Sequence, residues 1–65
     1  MASINDEIKR MEKEKKKLIK EMEKLEDVKS RNEIPEEDYE IEKNKIERKI
    51  VEVMDRLVQF RFLKG

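Results

Sequence analysis

The sequence predicts an all-α fold, an antiparallel hairpin of two long helices that oligomerises into a four-helix bundle or coiled coil. Apolar residues recur at alternating spacings of three and four in both halves of the chain, as in helices that pack along one seam. The single proline, Pro35, lies between those halves. The chain is 52% charged, yet nine of the fourteen residues from 50 to 63 are apolar.

The first helix is predicted to span about residues 4–30. Ser3 can cap its N-terminus, and acidic residues follow in the first turn, where the helix dipole favours negative charge. Lys15 occupies a seam position at which an apolar residue is expected, so we predict that its stem packs while its ammonium reaches water. The apolar seam of this helix consists of Ile4, Ile8, Met11, Leu18, Met22 and Leu25.

A turn is predicted at residues 31–34, followed by a second helix over about 35–63. Asn32 can adopt the left-handed conformation that often ends a helix. Pro35 disfavours a helical conformation at Ile34 and suits the first position of a new helix. A connection this short makes the helices antiparallel, so residues 1–65 form one helical-hairpin domain. The seam of the second helix consists of Ile46, Ile50, Val53, Leu57 and Phe60.

The turn sequence resembles that of small two-helix coiled-coil hairpin modules, many of them archaeal. The resemblance rests on an N-x-I-P-E-E-x-Y pattern, carried by Asn32, Ile34, Pro35, Glu36, Glu37 and Tyr39. It implies a hairpin used for oligomerisation or docking and says nothing about activity. In overall form alone, the chain is also similar to the Rop family of two-helix RNA-binding proteins, which dimerise into four-helix bundles. No motif carries the RNA contacts of that family onto positions of this chain.

The second helix is too apolar to be covered by the first helix alone. A chain of 65 residues without cysteine or histidine can form neither a disulfide nor a typical zinc site, so oligomerisation is the remaining route to stability. We therefore predict a non-enzymatic oligomerisation or protein-interaction module. Its expected partner is a second copy in a homodimer, with another protein as the alternative and a lipid-facing anchor at Phe62 as a third. The predicted interface residues are Ile50, Val51, Val53, Met54, Leu57, Val58, Phe60, Phe62 and Leu63.

Lysines cluster in the first helix at Lys13, Lys15, Lys16, Lys17 and Lys20. One interpretation is a stripe that contacts phosphates, which makes a small nucleic-acid-associated protein of Rop-like form the alternative function. The favoured interpretation is a solvated helix face. The 17 basic and 17 acidic residues leave no net charge, whereas nucleic-acid binding by bulk charge usually needs a basic excess.

No catalytic, cofactor or metal site is predicted. Without histidine, cysteine or a glycine-rich loop, the chain lacks the groups of catalytic triads, zinc sites and phosphate-binding loops. The acidic residues Glu36, Glu37, Asp38, Glu40 and Glu42 could gather a cation loosely, but a solvated helix start is the favoured interpretation. No apolar run reaches the roughly 18 residues of a membrane-spanning helix, and the first residues lack the apolar segment of a secretory signal. We expect a cytosolic protein, and its high Glu and Lys content is typical of thermophile proteins.

Overall fold

Two long α-helices lie side by side in an antiparallel hairpin. The computed structural model describes residues 3–64, in which α1 spans Ile4–Ser30 and α2 spans Glu36–Lys64. The molecule measures 45 × 18 × 14 Å along its principal axes. The predicted two-helix, all-α architecture is confirmed, with α2 beginning and ending one residue later than predicted.

Ser3 caps α1, as the sequence predicts. Its backbone is extended, and its Oγ accepts a hydrogen bond of 3.2 Å from the backbone N–H of Asp6. The carboxylate of Asp6 accepts a hydrogen bond of the same length from the backbone N–H of Ser3. This reciprocal capping box satisfies two donors that the first turn of a helix leaves without partners.

The turn ends α1 through a left-handed residue, Asn32, whose φ is 58°. Its N–H donates to the carbonyl of Lys29 at 3.0 Å, and the N–H of Glu33 donates to the carbonyl of Val28 at 3.1 Å. These two bonds form a Schellman motif, which satisfies carbonyls at the end of a helix. The carbonyl of Pro35 then accepts from the N–H of Tyr39 at 3.0 Å, so Pro35 stands just before α2 instead of at its first position.

The core is a single seam between the helices. At its centre are the buried side chains of Leu18, Ile46, Val53 and Leu57, and Ile8, Met11, Met22, Leu25 and Ile50 surround them. Lys15 is half-buried at the gap in the α1 seam, as expected for a lysine whose stem packs there.

Polar contacts between the helices fix their register near both ends. Toward the open end, Arg61 Nη2 donates to Glu12 Oε1 at 3.0 Å. Toward the turn, the Tyr39 hydroxyl donates to Glu26 Oε1 at 2.5 Å. These contacts join α1 to α2 near both ends of the hairpin and add to the packing of the apolar seam.

Candidate functional site

The predicted interface on α2 divides between the hairpin core and the exposed surface. Val53 and Leu57 are buried against α1, and Leu57 is only 4% exposed. Ile50 and Phe60 are half-buried beside them. Because α1 already covers Val53 and Leu57, these two side chains form part of the core of the hairpin.

The other predicted interface residues remain exposed. Val51, Met54, Val58, Phe62 and Leu63 all present large apolar side chains to solvent, with Val58 at 67% and Phe62 at 84% exposure. Such a concentration of uncovered apolar residues on one helix is a recognised mark of a binding surface.

Most of this surface belongs to one row along α2, which we call the outer row. Its members recur at spacings of three and four, are all exposed, and lie on the side of the helix roughly opposite the buried seam. The outer row consists of Ile41, Asn44, Arg48, Val51, Asp55, Val58 and Phe62. Sequence reasoning overlooked Ile41, Arg48 and Asp55, although their spacing from Val51 and Val58 was a signal for all three.

Both lateral sides of the hairpin carry charged residues. On one side, a shallow groove is lined by Glu12, Lys15, Lys16 and Arg61 together with Ile19 and Leu57. Met54 lies on that side because it precedes Arg61 by two helical turns. The other side, which we call the charged side, is lined mainly by Arg10, Glu14, Lys49, Glu52 and Arg56. Leu63 is exposed on the charged side, since it follows Arg56 by two helical turns. The exposed apolar residues of α2 therefore centre on the outer row, with Met54 and Leu63 on either side of it.

Tyr39 forms a polar cluster at the turn end. The ammonium groups of Lys29 and Lys43 lie 5.3 and 5.7 Å from the centre of its ring, within reach of a cation–π contact. Lys29 also forms an ion pair with Glu36. The hydrogen bond to Glu26 raises the pKa of the Tyr39 hydroxyl to about 12, with burial and the carboxylates of Glu26, Glu40 and Glu47 adding to the shift. A hydroxyl held protonated in this way acts as a hydrogen-bond donor that joins the helices.

The predicted lysine cluster is only partly brought together. Lys13, Lys16, Lys17 and Lys20 share one shallow surface of α1 with Glu21 and with Lys24, which the sequence prediction did not include. Lys15 does not line this surface; it lines the groove that contains Ile19 and Arg61, where Lys16 also lies. Among residues 3–64, none of the five lysines on the shared surface belongs to an ion pair within the hairpin.

Neither a metal centre nor a membrane span emerges from the part of the chain that the structure describes. Within residues 3–64, no group of three or more carboxylates is arranged to hold a metal ion, and this includes the acidic start of α2. Neither α1 nor α2 combines the length and apolar character needed to cross a bilayer.

Comparison with known proteins found no matching family model, no similar curated protein and no similar solved structure. The surfaces of the hairpin are therefore the basis for a functional proposal.

Proposed function

We propose that this chain is a non-enzymatic oligomerisation and protein-interaction module, with another polypeptide bound along the outer row of α2. One observation carries the proposal: the hairpin buries only one seam of α2 and leaves Val51, Val58 and Phe62 exposed. Burying apolar surface stabilises by about 25 cal/mol per Å². A second helix laid along this row would therefore supply stability that a two-helix hairpin of this size lacks.

A second copy of the chain is the expected partner. Most soluble oligomers are homo-oligomers, and closed two-fold dimers are the commonest among them. Such a dimer would contain four helices with the two α2 helices at its centre. Another protein with an amphipathic helix is the alternative partner, because the exposed apolar residues of the outer row could pack against either.

A single charged substitution in the outer row tests the proposal. Val58→Glu places a carboxylate at a position that is 67% exposed in the hairpin, so the substitution removes little packing within one chain. We expect this variant to dissociate at protein concentrations at which the natural chain is associated, and to lose helicity as it does so. Circular dichroism and light scattering coupled to size exclusion, run over a dilution series, would report both changes.

Lys49→Gln is the matched control, since it changes the net charge by the same amount on the charged side of the hairpin. It should associate and melt as the natural chain does. If Val58→Glu also associated and melted as the natural chain does, the outer row would not be the binding surface. A natural chain that stayed a helical monomer of 8.0 kDa at all concentrations would rule out self-association.

Nucleic-acid binding is the second candidate, favoured by the five lysines that share one face of α1. The surface formed by Lys13, Lys16, Lys17, Lys20 and Lys24 faces away from α2, since only residues of α1 line it. Ammonium groups without protein partners suit the phosphate backbone, which they contact without reading sequence. A dimer formed through α2 would leave this surface free.

Fluorescence anisotropy with short duplex DNA and duplex RNA at low salt would test this candidate. Replacing Lys16, Lys17 and Lys20 with Gln should weaken binding about tenfold or more and flatten its salt dependence. The matched control replaces Lys45, Lys49 and Arg56 with Gln, which removes the same charge from α2. Equal losses from the two variants would indicate bulk charge, and the absence of binding at micromolar protein would end the candidate.

A further inference from the structure

We propose that the second copy packs antiparallel along the outer row, with the two-fold axis beside Val51 and Glu52 at the middle of α2. This inference rests on the proposed function and adds the orientation and register of the assembly. It follows from the order of side chains along the outer row, from the unpaired state of its two charges, and from the surface that the hairpin leaves exposed.

Four members of the outer row form two complementary pairs placed symmetrically about its middle. Arg48 precedes the midpoint between Val51 and Glu52 by as many residues as Asp55 follows it. Ile41 and Phe62 stand symmetrically about the same midpoint. In an antiparallel pair, residues placed symmetrically about the axis reach the same level, and a two-fold axis makes each contact occur twice. Arg48 of each copy would then meet Asp55 of the other, and Phe62 would meet Ile41.

The charges of the outer row favour this orientation over a parallel one. Arg48 and Asp55 are both exposed, and neither belongs to the ion pairs formed among residues 3–64. They cannot pair with each other, because seven residues separate their levels by about 10 Å along the helix. A parallel pair would set Arg48 against Arg48 and Asp55 against Asp55. An antiparallel copy gives both side chains a partner of opposite charge.

The amount of exposed surface agrees with one added partner of this size. A folded monomer of 8.0 kDa is expected to expose about 4,450 Å², whereas this chain exposes 5475 Å². The excess of roughly 1,000 Å² is close to the ~800 Å² that each partner contributes to a standard interface. Part of this excess follows from the elongated shape of the hairpin, whose radius of gyration is 14.8 Å against about 11 Å for a compact chain of this length.

Charge reversal at Arg48 or Asp55 tests the register. Each variant should dimerise poorly with itself and well with the other variant. In an antiparallel dimer, Arg48→Asp sets two carboxylates together twice, and Asp55→Arg does the same with two guanidinium groups. Each variant alone should dimerise about tenfold or more weakly than the natural chain. An equimolar mixture should recover the natural affinity, since every contact then joins opposite charges. Sedimentation equilibrium on the two variants and on their mixture would measure all three affinities.

Lys49→Asp and Glu14→Lys are the matched controls, because they reverse charges on the charged side of the hairpin, away from the outer row. They should dimerise as the natural chain does, alone and mixed. If the outer-row variants behaved like these controls, or if their mixture failed to recover, the register would be wrong.

Disulfide cross-linking gives an independent measurement, since the natural chain contains no cysteine. Val51→Cys lies beside the proposed axis and should cross-link to itself on mild oxidation. Phe62→Cys should not, because the two copies of this position would stand about 32 Å apart, but it should cross-link to Ile41→Cys in a mixture. Efficient self-linking of Phe62→Cys would indicate a parallel pair and overturn the proposal.

The outcomes separate this inference from the proposed function. A dimer that Val58→Glu disrupts but charge reversal leaves unchanged would contradict the register alone. A natural chain that never dimerises would contradict the register together with self-association.

Discussion

The turn end and the open end of the hairpin differ in the contacts that hold α1 and α2 together. At the turn end, Asn32 closes α1 with backbone hydrogen bonds, and Tyr39 joins α2 to Glu26. At the open end, the one ion pair between the helices among the described residues joins Glu12 and Arg61. Phe62, near this end, is 84% exposed. The turn end is thus completed by local chemistry within one chain. The open end leaves Val58 and Phe62 exposed, and the outer row that we propose as the contact runs from there along α2 to Ile41.

The largest effect should come from the core that both ends share. Leu18 is 2% exposed and touches the central cluster, whereas its neighbour Ile19 is 40% exposed. Leu18→Ala should lower the free energy of unfolding by about 2–5 kcal/mol or prevent folding, because it removes buried contacts and leaves a cavity. Ile19→Ala, the control, should cost less than about 1 kcal/mol. Urea denaturation followed by circular dichroism, at one protein concentration, would compare them, and equal losses would contradict the assigned seam.

A smaller effect on stability is expected at the turn, because a substitution of Asn32 changes the preferred backbone conformation and not the packing of the core. Asn32 has a φ of 58°, a conformation that disfavours residues with a Cβ other than Asn and Asp. Asn32→Ala should lower stability by about 1 kcal/mol, while Asn32→Gly should leave it unchanged or slightly higher. Thermal unfolding of the two variants would measure the difference, and a more stable Ala variant would argue against the Schellman turn.

The Tyr39 cluster predicts a pH dependence of the turn end. The pKa of its hydroxyl is raised from 10.0 to about 12 in the folded chain, so the protonated form is favoured by folding. The corresponding stabilisation is fully present below pH 10 and is lost as the pH rises through about 12. Tyr39→Phe should remove this part of the pH dependence. Since Tyr39 is the only tyrosine and tryptophan is absent, ultraviolet absorbance reports its ionisation alone. A midpoint near pH 10 in the folded chain would contradict the hydrogen bond to Glu26.

The smallest effect should be that of the open-end ion pair. Glu12 and Arg61 are both well exposed to solvent, and such pairs contribute about 0.2–1 kcal/mol. A double-mutant cycle with Glu12→Gln and Arg61→Gln should give a coupling in this range that shrinks at high salt. A larger coupling energy that does not depend on salt would mean that Glu12 and Arg61 join the two helices more strongly than a solvent-exposed pair does.

Local features were the most predictable from sequence. Ser3, Asn32 and Pro35 each favour one backbone conformation or hydrogen bond through their own chemistry, so the helix ends could be located to within about one residue. The apolar seams were also predictable, because the spacing of their residues matches the period of a helix.

The division of α2 between core and surface was less predictable. Spacing separates Leu57, on the seam, from Val58, but the predicted interface contained both; the structure shows that α1 buries Leu57 and leaves Val58 exposed. The charged members of the outer row, Arg48 and Asp55, were not predicted as interface residues, because the prediction was based on the spacing of apolar residues alone. Lys15 was grouped with the other lysines although its spacing already placed it at the seam, where the structure shows it half-buried.

Sedimentation equilibrium of the natural chain tests most directly whether α2 is covered by a second chain. The account predicts a species of twice the 8.0 kDa chain mass at high concentration, which dissociates on dilution with a parallel loss of helicity. A chain that remained fully helical at 8.0 kDa over the same range would contradict it. The hairpin would then be stable with its outer row exposed.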